Sequence, residues 1–174
     1  SLIDDPRLQR MASENYIKED FPRNYSVPNS TPYPIHKEIR IGYFSSDFRI
    51  HPVATLTAEL YETHDRSQFE IHAFSFGPDT GDEMNLRIKS GVDFFHDIRE
   101  MSERDAVVLA RSLEIDIAID LGGFTGDSRT GIFAMRVAPI QISYIGYLGT
   151  MGSEYYDYLI ADQIMIPKKY QQYY

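Results

Sequence analysis

The chain is predicted to fold as a three-layer α/β domain, a mainly parallel sheet with helices on both faces. Three observations carry this. From Ile39 onward, short apolar segments rich in strand formers alternate with segments of helical spacing. Three of the apolar segments run straight into polar or glycine-rich loops, the place where open α/β sheets bind ligands. And 43% of the 174 residues are hydrophobic, enough for a core.

The elements follow in order. Residues 4–20 carry a helical pattern, with Leu8, Met11, Ala12, Tyr16 and Ile17 at near-helical spacing. The stretch FPRNYSVPNSTPYPIHKE then holds four prolines among Asn and Ser and reads as a connector. Residues 1–36 are therefore a helical lead-in with a Pro-rich connector, and residues 37–174 the domain proper. IRIGYF (39–44) is a strand. VATLTAELYETH (53–64) is a helix, with Ala54, Leu56, Leu60 and Tyr61 at its spacing, and FEIHAFSF (69–76) alternates as a strand. EMNLRIKSG (83–91) is a helix with Gly91 placed as a C-cap. VDFFHDI (92–98) suits a short strand. SERDAVVLARSLE (102–114) is a helix capped by Ser102, with Asp105 in its first turn. IDIAIDL (115–121), a part of APIQISYIGY (138–147) and YYDYLIAD (155–162) are the remaining strands.

Composition excludes several classes. With 26 acidic against 17 basic residues the net charge is −9, opposite to the basic face of a nucleic-acid module. There is no cysteine, so no disulfide, thiolate nucleophile or thiolate-bound zinc. No apolar run approaches the roughly 18 residues of a membrane span, and the opening residues are polar and acidic, unlike a signal peptide. The expectation is a cytoplasmic protein with no membrane or nucleic-acid partner. The sequons at Asn24 and Asn29 are then chance matches. His36, His64, His72 and His96 lack metal-ligand spacing, and no metal or cofactor is expected. Tyr155, Tyr156 and Tyr158 read as packing residues.

Three loops are candidates for chemistry. In SSDFRIHP (45–52), Pro52 suits the first helical position and His51 falls at the positive end of the helix, a field that favours a neutral ring able to accept a proton. Asp47 or a backbone carbonyl is a candidate partner for its other nitrogen. The alternative is a helix-entry residue among turn formers. LGGFTGDSR (121–129) lets backbone approach a ligand, with Thr125 and Arg129 suited to a hydroxyl or a phosphate. The alternative is a crossover loop. IGYLGTMG (145–152) spaces Gly146, Gly149 and Gly152 by three, so its amides can face an anion or a sugar. The alternative is an ordinary turn.

Taken jointly, and in this order, IRIGYFSSDFRIHP, FEIHAFSFGPDTGDEMNLRI, IDIAIDLGGFTGDSRTGIFAMRVAPIQISYIGYLGTMG and YYDYLIAD closely resemble the catalytic region of the O-GlcNAc transferase and SPINDLY family, glycosyltransferase family 41, in its bacterial form. The resemblance covers residues 37–174 and, weakly, DDPRLQ. Its marks are His51-Pro52, RVAPIQ and IGYLGT. It implies a pair of facing Rossmann-like domains, the GT-B arrangement, of which this chain is the first. The second domain, which binds most of the nucleotide, and the upstream tetratricopeptide repeats are absent here. It implies inverting, metal-free transfer of a sugar from UDP-GlcNAc, or GDP-fucose in SPINDLY-type members, to Ser or Thr hydroxyls of proteins. A chain with half the site is expected to be inactive alone. His51 matches the active-site histidine, either a general base or a positioning group. Gly146 matches the backbone position beside the donor sugar, and Thr125 lies in the acceptor loop. Asp47, Pro52, Gly123 and Tyr147 join them as candidate sugar- and acceptor-binding residues. Leu148 stands where the family usually has Pro, which loosens that loop. Two other readings compete: a non-catalytic sugar- or nucleotide-binding regulatory module, and a scaffold domain packing on repeats.

Overall fold

The computed structural model describes residues 5–21 and 33–174. Most of the proline-rich connector, with both sequons, lies outside the described residues. A helix, α1 (Pro6–Asp20), precedes six strands: β1 (Ile39–Ser45), β2 (Phe69–Ser75), β3 (Phe94–Asp97), β4 (Ile117–Asp120), β5 (Ile140–Tyr144) and β6 (Tyr158–Ile160). Helices α2 (Pro52–Thr63), α3 (Glu83–Gly91), α4 (Glu103–Ser112) and α5 (Thr130–Ala134) link the first five strands, and a 3-10 turn (Lys168–Tyr173) follows the sixth. All neighbouring strands pair in parallel, in the order β3-β2-β1-β4-β5-β6.

Alternation along β1 divides the core. Ile41 and Tyr43 point into one layer with Ala54, Ala58 and Tyr61 of α2 and Ile88 of α3. Phe44 points into the other, with Phe74, Ala106, Val107 and Ala110 of α4, and Phe133 of α5. Phe44 and Phe74 stack with ring centroids 4.4 Å apart. Both faces are thus covered, as expected of a parallel sheet. That explains a departure in β2. Its Glu70 and His72 alternate like a solvated face, yet His72 is buried, stacked on Phe94 and His96 and bonded to Glu70 and to His96.

The structure corrects the sequence reading in three details. Gly91 is the last residue of α3, not a left-handed cap beyond it; Val92 is extended and already leads into β3. The missing side chain serves packing instead, since a Cβ there would meet Glu62 Cγ at 3.2 Å. Leu56, Leu8 and Met11 are exposed, while Thr57 and Ser13 are buried in their helices. These two hydroxyls can be buried because each is paired, Thr57 with Val53 O and Tyr61 Oη, Ser13 with Thr150 O. The cap on α4 is as read: Ser102 Oγ accepts from Asp105 N–H.

Helix α1 is docked on the domain. Ser13 Oγ donates to Thr150 O, Arg10 to Gln172 O, and Tyr155 Oη to Phe21 O. Tyr16 meets Phe124 edge-on.

Candidate functional site

The strand order reverses direction beside β1: β2 and β3 lie on one side, β4 and β5 on the other. The loops leaving β1 and β4 therefore turn to opposite faces of the sheet at the carboxyl ends of the strands, where open α/β sheets bind ligands. SSDFRIHP leaves β1, LGGFTG leaves β4 and IGYLGT leaves β5, so three adjacent strands bring all three loops to one edge.

His51 is the N-cap of α2, and Pro52 its first residue. The cap is made by the ring itself. Nδ1 accepts from Val53 N–H at 3.3 Å. In that arrangement Nδ1 is the acceptor and Nε2 the donor of the ring. Asp47 Oδ2 lies 3.6 Å from the same Nδ1, and Asp47 Oδ1 pairs with Arg49 at 3.3 Å. Two groups thus compete for one nitrogen. Held by Val53, the ring presents an N–H donor. Rotated onto Asp47, it would carry its proton on Nδ1 and present a basic Nε2. Arg49, to which the sequence assigned no role, is the second neighbour of Asp47.

The other two loops interlock. Gly146 packs so closely on Leu121 that a Cβ would stand 1.7 Å from its carbonyl oxygen. Gly123, at φ +55°, leaves no room for a side chain against Tyr147 Cβ and Met151 Sδ. Phe124 meets the Tyr147 ring edge-on. Ile145 takes φ +60°, strained for a β-branched residue, and Gly146 N–H closes back onto Tyr144 O at 2.8 Å. Thr125 Oγ1 donates to Gly122 O, so its hydroxyl folds the loop and keeps its lone pairs as acceptors. Arg129 is spent on the carbonyls of Ile98 and Met101 and holds no hydroxyl or phosphate position.

The candidates therefore fall into two sets. Asp47, His51 and Pro52 form one; Gly123, Thr125, Gly146 and Tyr147 form the other. They are joined through the sheet, where Leu121 N–H donates to Phe44 O. Asp120, at the end of β4, organises the second set and was missed from sequence. Its Oδ1 accepts from Gly122 and Gly123 N–H, at 2.9 and 3.1 Å, and its Oδ2 from Tyr156 Oη at 2.6 Å. Burial pushes this carboxyl up, while the Tyr156 hydroxyl and the two amides draw it back. An acid closing a buried apolar strand was the available signal. Tyr156, read as packing, stacks on Phe133 and also supplies this hydroxyl, while Tyr158 is exposed.

Among the described residues no group of His, Asp and Glu is placed to hold a metal ion, and no helix is long and apolar enough to cross a membrane.

The family model described as "Glycosyl transferase family 41" matches residues 18–174, a span containing all three loops. The chain belongs to glycosyltransferase family 41. Family 41 relatives bear this out. The probable UDP-N-acetylglucosamine--peptide N-acetylglucosaminyltransferase SEC of Arabidopsis thaliana is 38% identical over 79% of this chain. The UDP-N-acetylglucosamine--peptide N-acetylglucosaminyltransferase of Caenorhabditis elegans is 33% identical over 95%. A solved structure of a Thermobaculum terrenum O-GlcNAc transferase mutant superposes on the whole chain with a TM-score of 0.90 at 29% identity. The chain spans 14% of each of those two relatives and 34% of the solved chain. The fold is thus the Rossmann-like α/β domain of a family 41 catalytic region.

Proposed function

We propose that this chain is the acceptor-side domain of a cytoplasmic protein O-glycosyltransferase, moving GlcNAc from UDP-GlcNAc to Ser or Thr hydroxyls with inversion. The relatives' names support that donor. The observation that carries the reading is the placement, at one edge of the sheet, of a histidine loop and two locked glycine loops. In the reaction the hydroxyl oxygen attacks the anomeric carbon from the face opposite the nucleotide. The bond to the phosphate oxygen breaks and UDP leaves with the electron pair. The hydroxyl proton must go to an acceptor.

His51 can serve in two ways. With Val53 N–H on Nδ1 it donates from Nε2 and orients a sugar or acceptor oxygen. With Nδ1–H turned to Asp47 it accepts the hydroxyl proton at Nε2. The Gly146 loop, packed on Leu121 and with Gly146 N–H closed onto Tyr144 O, offers the sugar a fixed backbone surface. Gly123, Thr125 and Tyr147 line the acceptor side. Most nucleotide contacts, and the tetratricopeptide repeats that would deliver acceptor proteins, belong to other parts of a longer protein, so the chain alone transfers nothing.

The test is a full-length protein carrying this sequence, given UDP-GlcNAc or GDP-fucose and candidate acceptors, with modified Ser and Thr residues located by mass spectrometry. GlcNAc on hydroxyls supports the reading and fucose corrects the donor. Nucleotide-sugar binding without transfer would make it a regulatory module. Neither binding nor transfer would leave a scaffold.

A further inference from the structure

The loop that carries His51 does not take its shape from β1 and α2 alone. It is pinned by the segment between β2 and α3. Gly77 presses on the Ser46 carbonyl, so closely that a Cβ would stand 1.7 Å from its oxygen. Asn85, buried on α3, donates from Nδ2 to Phe48 O at 2.7 Å. Asp82 does two jobs with its two oxygens. Oδ1 accepts from Asn85 N–H at 2.8 Å and so caps α3. Oδ2 accepts from the Thr80 hydroxyl at 2.6 Å and from Ile50 N–H at 3.0 Å.

Ile50 immediately precedes His51. On the other side, His51 O is held by Thr55 N–H at 3.0 Å and Thr55 Oγ1 at 3.1 Å. The Ile50–His51 link is therefore fixed at both ends, by Asp82 from outside and by α2 from inside. A helix cap needs only one oxygen; the second oxygen of Asp82 is used on the histidine loop.

We infer that Asp82 is a positioning residue, which anchors Ile50 N–H and thereby sets where the His51 imidazole stands at the switch point. This rests on the reading of His51 given under the proposed function. The Thr80 hydroxyl and the Ile50 amide hold the Asp82 carboxyl down at about 2, so it stays an acceptor on both oxygens at working pH. The ring of His51 selects between Val53 and Asp47 within a few tenths of an ångström, so a loosened Ile50 would blur that choice. Misplacement of a reacting group by about 1 Å costs on the order of 10²-fold in rate.

Two variants separate the helix cap from the anchor. Asp82→Asn keeps a good cap, and its amide nitrogen can donate to Thr80 Oγ1, which leaves Ile50 N–H without an acceptor. Asp82→Ser also caps α3 but is too short to reach Ile50. In the full-length enzyme we expect both to melt close to wild type. We expect kcat to fall about ten- to a hundredfold, while KM for UDP-GlcNAc stays within about twofold. In the chain itself, amide hydrogen exchange should speed up at Ile50 but hold at Leu86, whose N–H bonds to Asp82 O within α3. A purely structural cap would leave kcat and Ile50 exchange unchanged in both variants, and that result overturns the inference. Loss of the fold in both overturns it as well, since Asp82 would then serve the fold. If the wild-type enzyme transfers no sugar, the proposed function fails, and Ile50 exchange in the chain still decides whether Asp82 anchors the loop.

Discussion

Replacing Gly146 with alanine would force apart the loops that follow β4 and β5. The new methyl would stand 1.7 Å from Leu121 O and 2.7 Å from its carbonyl carbon, whereas Cβ contacts under 3.0 Å essentially never occur. The gap must open by about 1.3 Å, the difference between those two limits. Neither side yields easily. Leu121 N–H is tied to Phe44 O in the sheet, and Gly146 N–H to Tyr144 O across the strained Ile145. Overpacking of this kind costs about 1–3 kcal/mol. For a chain of this size that lowers Tm by about 2–12 °C. In the full-length enzyme a shift above 1 Å beside the sugar should lower kcat/KM about 10²-fold. The assay is a thermal melt of the chain, amide chemical shifts at Leu121 and Gly122, and initial rates for the enzyme. A Gly146→Ala chain that melts with wild type and leaves both shifts in place would refute the close packing on which this rests.

Other predictions test the remaining parts. His51→Ala in the full-length enzyme should lower kcat by about 10²–10⁴ if the ring is a base, or mainly raise the acceptor KM if it positions. UDP affinity should be unchanged in either case, and wild-type turnover would reduce His51 to a helix cap. Tyr156→Phe removes the donor from Asp120 Oδ2 in a buried site and should cost about 1–3 kcal/mol; an unchanged Tm would show that Asp120 needs no partner there. Stability should peak near neutral pH. Asp116 and Glu114 raise the His36 pKa, so its contribution is full below about 6.5 and lost as pH rises through the raised value. Burial lowers His64, His72 and His96, the last to about 4, so their neutral rings favour the fold above about 6.5 and less as pH falls. His36→Gln should flatten the alkaline limb of a Tm–pH profile and leave the acid limb; an unaltered alkaline limb would show that the His36 bridge adds nothing.

The alternation of elements was legible because it is written in apolar residues, which the parallel sheet buries on both faces. The alternation also placed the three loops after strands, but the switch point needed the spatial strand order, which the sequence does not carry. Burial within helices was less legible. Thr57 and Ser13 look like surface residues, and only a carbonyl or hydroxyl brought from elsewhere makes them core residues. The three loops could be named from sequence, but their supports could not. Asp82 lies 32 positions from the Ile50 amide it accepts, and Asp120 lies 36 from the Tyr156 hydroxyl. No local spacing encodes such a pair. The two roles of His51 and its neighbour Asp47 could be named, but that Val53 N–H and Asp47 compete for the same Nδ1 shows only in three dimensions.

The strand order also governs how the domain is made. Ile41 of β1 pairs with Ile71 on one side and with Ile117 on the other, 30 and 76 positions away. Closing the longer loop costs only about 0.8 kcal/mol more in chain entropy, so the finished fold hardly registers the difference. During synthesis it matters more. β1, β2 and β3 can assemble while β4 is still unmade, and the Ile39–Ser45 edge then stands open with its N–H and C=O groups unpaired. Such an edge is a template for any stray strand. Its natural occupant arrives later, in a segment, Ile117–Asp120, of only four residues. Slowing or truncating the chain just before β4 should therefore yield aggregates rather than a smaller stable domain, and a nascent-chain series stepped through residues 100–145 would show solubility return only once β4 and β5 are free to join.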